Sequence, residues 1–172
     1  MIMNAPRQHL PVVIRAFRLG DEPLLHAVFH SAIHGIAARR YTPEQCEAWA
    51  PTDYDVAQWD ERIRRIRPFV TELDGQAVAY ADLQANGYID HFFVSAAYAR
   101  RGIGQQLMIH ILGLAAQRDV RLQAHVSLAA EPFFARNGFG VIARQRVAPR
   151  GVLLDNALMA RPRAECSRGG TR

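Results

Sequence analysis

The sequence has few of the features that mark secreted or membrane proteins. It contains only two cysteines, Cys46 and Cys166, without framework spacing, so we expect no structural disulfide. No apolar run reaches the roughly 18–20 residues that a membrane-spanning helix needs. The first residues, MIMNAPRQHLPVV, lack the long apolar core and the cleavage site of a secretory signal. These absences predict a cytoplasmic protein that contacts no membrane.

A strong excess of charge is also missing from most of the chain. The formal net charge is +5, and residues 161–172 alone hold four arginines against one glutamate. The rest has neither a long basic helix nor aromatic residues interleaved with basic ones, so we expect no nucleic-acid partner. A basic arm that binds nucleic acid stays open as an alternative for the tail. The length of 172 residues predicts one domain over residues 1–160, followed by a basic, disordered tail over residues 161–172.

Strand-like and helix-like patterns alternate along the chain, which indicates an α/β fold built in layers. Expected strands cover residues 11–17, 68–73, 76–84, 88–94, 121–126, 139–147 and 156–160. Expected helices cover residues 21–35, 43–49, 55–65, 102–117 and 132–137. Asp21 and Thr42 stand where the first two helices need N-caps. The turn signals Asp74-Gly75 and Asn86-Gly87 predict an antiparallel meander over residues 68–94.

A glycine-containing loop, SAAYARRGIG at residues 95–104, joins the third meander strand to a long helix. Gly102 and Gly104 let the backbone approach a ligand closely at the helix N-terminus, where unpaired N–H groups favour an anion. Arg100 and Arg101 add positive charge at the same point. By itself this pattern also suits a tight turn into a buried helix. It lacks the Gly-Lys-Ser/Thr of nucleoside-triphosphate loops.

Two motifs in order resemble those of the GNAT acetyltransferase superfamily. The strand end at residues 92–94 and ARRGIG at residues 99–104 are similar to the family's acyl-CoA motif, Q/R-x-x-G-x-G/A. The second motif, AEPFFARNGF at residues 130–139, is similar to A-x-x-F-Y-x-x-x-G-F. Three further segments look most like the bacterial YafP-like branch: Tyr41…Gln45…Trp49-Ala50-Pro51, DHFFV at residues 90–94 and PFF at residues 132–134.

The resemblance covers residues 14–160 and implies a fold, a reaction and a co-substrate. The fold is a mixed, mostly antiparallel seven-stranded sheet with helices on both faces. The reaction is transfer of an acetyl group from acetyl-CoA to a primary amine, by direct attack in a ternary complex and without a metal. The acceptor would be a small-molecule or peptide amine, and the family also allows a homodimer.

The sequence departs from the family pattern at two positions. Ala99 stands where most members have glutamine or arginine, but the backbone N–H groups of the loop are expected to preserve CoA binding. Phe134 stands where many members have a tyrosine that protonates the leaving thiolate. Water, another side chain or departure of the unprotonated thiolate must replace it, since a free thiol has a pKa of about 8.5. An acyl-CoA-binding module without efficient catalysis is therefore the alternative function.

The resemblance also assigns roles to individual residues. The backbone N–H near Phe92 would stabilise the oxyanion, and backbone of the following residues would pair with the pantetheine arm. The N–H groups of residues 101–105 would hold the pyrophosphate. The residues expected to bind acetyl-CoA are Phe93, Val94, Arg100, Arg101, Gly102, Ile103, Gly104, Gln105, Ser127 and Phe134.

The general base follows from the alternation of side chains along a strand. If Phe92 faces the active site, Asp90 lies on the same face and His91 on the other, so Asp90 is the predicted base. The alternatives are His91, His125, Glu72, Asp82 and a bound water.

Two clusters in the helical part of the chain carry weaker signals. His26, His30 and His34 recur every four residues, a spacing that can bind metal. No carboxylate or cysteine near them in sequence completes a ligand set, so we expect no metal. Tyr41, Trp49, Tyr54 and Trp59 are expected to pack short helices onto the sheet, with an aromatic wall for the acceptor as the alternative.

Overall fold

The computed structural model describes residues 12–163 of the 172-residue chain. Within that range the strands are β1 (Val12–Ala16), β2 (Phe69–Leu73), β3 (Gln76–Ala81), β4 (Tyr88–Ile89), β5 (Phe92–Val94), β6 (Leu122–Ser127), β7 (Gly140–Val147) and β8 (Leu154–Arg161). The helices are α1 (Glu22–Gly35), α2 (Pro43–Trp49), α3 (Val56–Ile66), α4 (Ile103–Arg118) and α5 (Glu131–Arg136). Cys166 and residues 164–172 of the predicted tail lie outside the described residues, and β8 extends to the first tail residue.

The helix ends follow local chemistry in most places. The predicted capping box of α2 is confirmed, because the Thr42 hydroxyl accepts from the Gln45 backbone N–H at 3.2 Å and the Gln45 side chain accepts from the Thr42 N–H at 2.9 Å. Asp21 occupies the predicted N-cap position of α1, but its side chain makes no cap bond. Its carboxylate instead pairs with the Arg15 guanidinium at 2.8 Å. Arg15 of β1 bonds to both carboxylate oxygens of Asp21, and this ion pair replaces the bond to the helix N-terminus.

The strands form two four-stranded sheets, in the orders β1-β2-β3-β5 and β4-β6-β8-β7. Neighbours are antiparallel except for β4 and β6, which are parallel. The predicted α/β class and the mostly antiparallel, mixed pairing are therefore confirmed. The seven expected strands become eight because the predicted strand 88–94 is interrupted, so that β4 belongs to one sheet and β5 to the other.

A buried carboxylate from β3's end accounts for this interruption. Asp82 Oδ1 accepts the backbone N–H groups of both Asp90, at 2.9 Å, and His91, at 2.7 Å. Consecutive N–H groups of an extended strand point in opposite directions, so two that converge on one atom cannot both belong to a regular ladder. Asp82 thus fixes the point at which the two sheets separate.

Helices cover both faces of this framework, as predicted. α4 packs through Leu107, Met108 and Ile111 into a core that both sheets share. On the other face, α1, α2 and α3 form a second core around the fully buried Tyr80. None of the helices within residues 12–163 is long and apolar enough to cross a bilayer.

Candidate active site

A cavity of about 790 Å³ opens between β5 of the first sheet and β6 of the second. Phe92 and Phe93 line one side, and Val126 and Ser127 of β6 line the other. Helices α1, α2 and α3 close the outer wall. The volume lies in the range of small-molecule sites, about 300–1,000 Å³.

The outer wall of the cavity is aromatic. The four predicted aromatic residues, Tyr41, Trp49, Tyr54 and Trp59, all line it. The Tyr54 ring stacks on His26 with centroids 3.3 Å apart. Tyr41 and Trp59 are also buried in the helical core, which confirms the expected packing, whereas contact of this wall with an acceptor stays a prediction.

The break in the strand changes the predicted arrangement around Asp90. The alternation argument placed Asp90 and His91 on opposite faces, and this is wrong. Asp90 and His91 lie outside regular strand structure, and both side chains line the cavity, with Asp90 Oδ2 3.9 Å from His91 Nε2. Arg62 of α3 pairs with the same Asp90 oxygen at 3.0 Å.

His91 is held in a neutral form by its surroundings. The ring is 4% exposed, and its Nδ1 lies 3.0 Å from the hydroxyl of the fully buried Tyr80. Burial first, and the Arg62 charge second, keep the pKa of His91 well below its ordinary value. A neutral ring can orient a substrate by hydrogen bonding, but it takes up a proton less readily than an ordinary histidine.

The other alternative bases lie outside the cavity or at its rim. Burial raises the pKa of Asp82 to about 6, but the residue does not line the cavity. Glu72 bonds to Arg15 at 2.8 Å, also away from the cavity. His125 lines the cavity from the exposed side of β6 and contacts Gln145.

The backbone of β5 presents a free edge to the divergence between the sheets. Towards β3, the backbone bonds flanking this strand are made by the His91 carbonyl and the Ser95 N–H. Bonding residues alternate along an antiparallel pair, so Phe92 and Val94 direct their N–H groups away from β3 and towards the gap. The backbone of Phe93 faces β3, and only its ring is available to the cavity.

The glycine loop adjoins this edge without lining the cavity. Gly102 has φ +81 and begins α4 with no side-chain cap, so the N–H groups of residues 103–105 lack intrahelical acceptors. A Cβ on Gly104 would lie 3.4 Å from Val94 Cγ2 and 3.7 Å from the Phe133 ring. The Phe133 ring in turn lies 5.6 Å from Phe92, between centroids. The helix start, the strand end and the cavity are therefore contiguous.

The other predicted ligand residues take different positions. Arg100 and Arg101 are exposed beside Gly102, whereas the Ile103 side chain is buried in the core and offers only its backbone N–H. The Gln105 side chain donates to Asn137 at 2.9 Å, which ties α4 to the turn after α5.

Ser127 and Phe134 reach the cavity from β6 and α5. The Ser127 hydroxyl accepts the Ala130 N–H at 3.2 Å. Phe134 is 3% exposed and packs against Phe139 with centroids 5.0 Å apart.

The sequence did not indicate three residues of the site. Arg62 of α3 lines the cavity and pairs with Asp90, and Tyr80 is buried behind the cavity and contacts His91. Asn156 of β8 also lines the cavity, and its buried Oδ1 has no hydrogen-bond partner among residues 12–163. No local pattern distinguishes these residues, because each reaches the site through a contact between distant elements.

Comparison with known proteins supports the resemblance across most of the chain. Residues 37–154 match the family model described as an acetyltransferase (GNAT) domain. The chain belongs to the GNAT acetyltransferase family.

One relative is similar to this chain over most of its length. The chain is 32% identical over 148 residues to YafP of Escherichia coli (strain K12), an uncharacterized N-acetyltransferase, covering 86% of this chain and 94% of that protein. Together with the family model, this relationship makes the chain an acetyl-CoA-dependent acetyltransferase.

Solved structures share the fold of this acetyltransferase. A GCN5-related N-acetyltransferase from Rhodopseudomonas palustris has a TM-score of 0.83 and 29% identity, covering 94% of this chain and 98% of that chain. The putative acetyltransferase yncA from Salmonella typhimurium, solved with acetyl-CoA, has a TM-score of 0.65 and 17% identity, covering 94% of this chain and 99% of that chain.

Proposed function

We propose that this GNAT protein transfers the acetyl group of acetyl-CoA to a primary amine that attacks the thioester directly while both substrates are bound. The observation that carries the proposal is the free edge of β5. This edge lies beside the start of α4 and borders the cavity. One elongated donor can lie along this edge, and a separate acceptor can enter from the cavity.

The donor contacts follow from the exposed backbone groups. The Val94 N–H is available to the pantetheine amides, and the uncapped start of α4 with Arg100 and Arg101 suits the pyrophosphate. Ser127 faces the same gap from β6. These groups leave the thioester near Phe92.

The chemical step needs one bond to form and one to break. The amine nitrogen bonds to the thioester carbonyl carbon, and the carbon–sulfur bond then breaks with its electron pair leaving on the CoA sulfur. The Phe92 N–H is directed towards the developing oxyanion, a contact typically worth about 3 kcal/mol. The proton lost by the nitrogen passes to a base in the cavity.

We assign the base to Asp90. Its carboxylate lines the cavity with 20% of its surface exposed, and Arg62 holds it in place. His91 is 4% exposed and its Nδ1 is bonded to the Tyr80 hydroxyl, so it is the less accessible of the two groups. Phe134 offers no proton to the leaving thiolate, so departure as the thiolate, or protonation by water, completes the step.

The shape of the cavity favours a small amine over a protein chain as acceptor. Its volume of about 790 Å³ fits a small molecule, and the aromatic wall suits an apolar or aromatic body.

Calorimetric titration with acetyl-CoA tests the donor site. We expect micromolar binding to the wild-type protein and at least a tenfold loss for the double variant Arg100→Glu/Arg101→Glu. Arg121→Glu/Arg163→Glu is the matched control, because it reverses the same number of charges on exposed residues near the opposite end of α4, roughly 20 Å away along the helix. No binding at millimolar acetyl-CoA, or equal losses for both variants, would contradict the assigned donor site.

A thiol-release assay on a panel of small primary amines then tests the transfer. Turnover with at least one amine is the expected result. Tight acetyl-CoA binding without turnover on any amine would instead favour the acyl-CoA-binding module.

A further inference from the structure

Three metal-ligating side chains meet outside the cavity, between α1 and α2. His30 and His34 lie one turn apart on α1, and Glu47 of α2 reaches the same point. None of the three lines the cavity. The carboxylate that the local sequence did not supply to the histidine pair is thus provided by the next helix.

The geometry of the three groups suits one ion. One ligand atom from each residue lies within 4.8 Å of the other two, and the two imidazole rings stack with centroids 4.1 Å apart. His34 Nε2 is 3.8 Å from Glu47 Oε2. Tetrahedral zinc with bonds of about 2.0–2.1 Å needs ligand atoms about 3.3 Å apart. Rotation of these half-exposed or exposed side chains is enough to close the remaining distance of up to about 1.5 Å.

The carboxylate is already oriented. Thr52 donates its backbone N–H to Glu47 Oε1 at 2.8 Å and its hydroxyl to Oε2 at 3.1 Å. The same hydroxyl lies 3.3 Å from His30 Nε2. The site is therefore tied to the segment that follows α2.

The chemistry of the donor atoms favours a transition metal. Two imidazole nitrogens and one carboxylate suit zinc, cobalt or nickel, whereas magnesium and calcium prefer oxygen ligands throughout.

We propose that His30, His34 and Glu47 form a binding site for a divalent transition metal of the zinc class, separate from the acetyl-transfer site. Water or the Thr52 hydroxyl would occupy the fourth position. In the metal-free structure His34 Nε2 donates to the Ala50 carbonyl at 2.8 Å. Binding through Nε2 exchanges that bond for a metal bond, whereas binding through Nδ1 keeps it as outer support for the ring.

Calorimetric titration of the untagged full chain with ZnCl2 at pH 7.5 tests the site. We expect one ion per chain with a Kd in the micromolar range or below. His34→Ala should weaken binding at least tenfold. His125→Ala is the matched control, because it removes an exposed histidine elsewhere and should leave the affinity unchanged.

The variant Glu47→Gln distinguishes a site with three ligands from one formed by the two histidines alone. Glutamine can keep a bond from Thr52 but is a much weaker metal ligand. We therefore expect the affinity for zinc to be tenfold lower than that of the wild type. Zinc binding that is absent, insensitive to His34→Ala or unchanged by Glu47→Gln would overturn the proposal. Because the readout is metal affinity, the outcome is independent of whether acetyl transfer is detected.

Discussion

Replacing Asp82 with asparagine should remove a pH-dependent loss of stability from the fold. Asparagine can keep the Oδ1 acceptor that receives the N–H groups of Asp90 and His91, so the separation of the sheets is preserved. The substitution removes the charge and, at Oδ2, the long 3.4 Å bond from the Gln84 side chain. It therefore isolates the free-energy cost of ionising a carboxyl group at the point where the two sheets part.

The size of the effect follows from the pKa of Asp82, which burial raises from 3.8 to about 6. A raised pKa means that the folded state binds the proton more tightly than the unfolded state. The stabilisation is fully present below pH 3.8 and is lost as the pH rises through about 6. Each pKa unit corresponds to about 1.4 kcal/mol, so the wild type should lose about 3 kcal/mol across this window, and Asp82→Asn should not.

Urea denaturation of both proteins between pH 4 and pH 8 measures the difference directly. The free energy of unfolding of Asp82→Asn minus that of the wild type should rise by about 2 kcal/mol between pH 4 and pH 7 and then stay level, because part of the total is already lost at pH 4. Taking the difference cancels the titration of all other carboxyl groups. Two curves that remain parallel across this range would refute the reasoning. Asp82→Ala, which leaves two N–H groups without their acceptor, should cost a further 1–3 kcal/mol per group, roughly, at every pH.

Three further substitutions probe the site and the fold. Asp90→Asn should lower kcat about 10²–10⁴-fold with acetyl-CoA affinity unchanged, and a loss below threefold would place the base elsewhere. Phe134→Tyr should raise kcat severalfold by supplying a proton to the leaving sulfur, and an unchanged kcat would show that the thiolate departs without that help. Gly87→Ala should lower the thermal midpoint by several degrees, because Gly87 has φ +84 and a Cβ would lie 2.0 Å from the Arg121 carbonyl oxygen; an unaltered midpoint would mean that this turn shifts freely.

The local patterns of the sequence predicted most elements of the fold. Thr42 and Gln45 act within one helical turn, and Asp74-Gly75 acts within the β2–β3 hairpin, so neighbouring residues contain the information. Asn86-Gly87 also forms a turn, but the strand after it, β4, pairs with β6 and not with β3. Gly138 likewise has the left-handed φ of +85 expected after a short helix. Each of these signals depends on few contacts from elsewhere.

The errors arose where a distant group overrides the local pattern. YIDHFFV alternates like one continuous strand, but the Asp82 carboxylate on the preceding strand captures two of its N–H groups. Asp21 matches an N-cap, but Arg15 claims its carboxylate. Glu47 lies 13 residues beyond His34 in sequence, and only the packing of α1 against α2 brings them together. The spacing of residues along the chain cannot predict contacts between such distant residues.

The division between the two sheets has a mechanical consequence. The first sheet ends at β5, whose Phe92 and Val94 N–H groups face the gap, and the second sheet begins with β4, followed by β6. The two sheets therefore separate at Asp90 and His91, like the two plates of a hinge. An extended molecule with amide groups that lies in the gap would form hydrogen bonds with the free backbone groups of both sheets. The acetyl donor would then act as a temporary strand of the protein, and each turnover would assemble and dismantle part of the sheet.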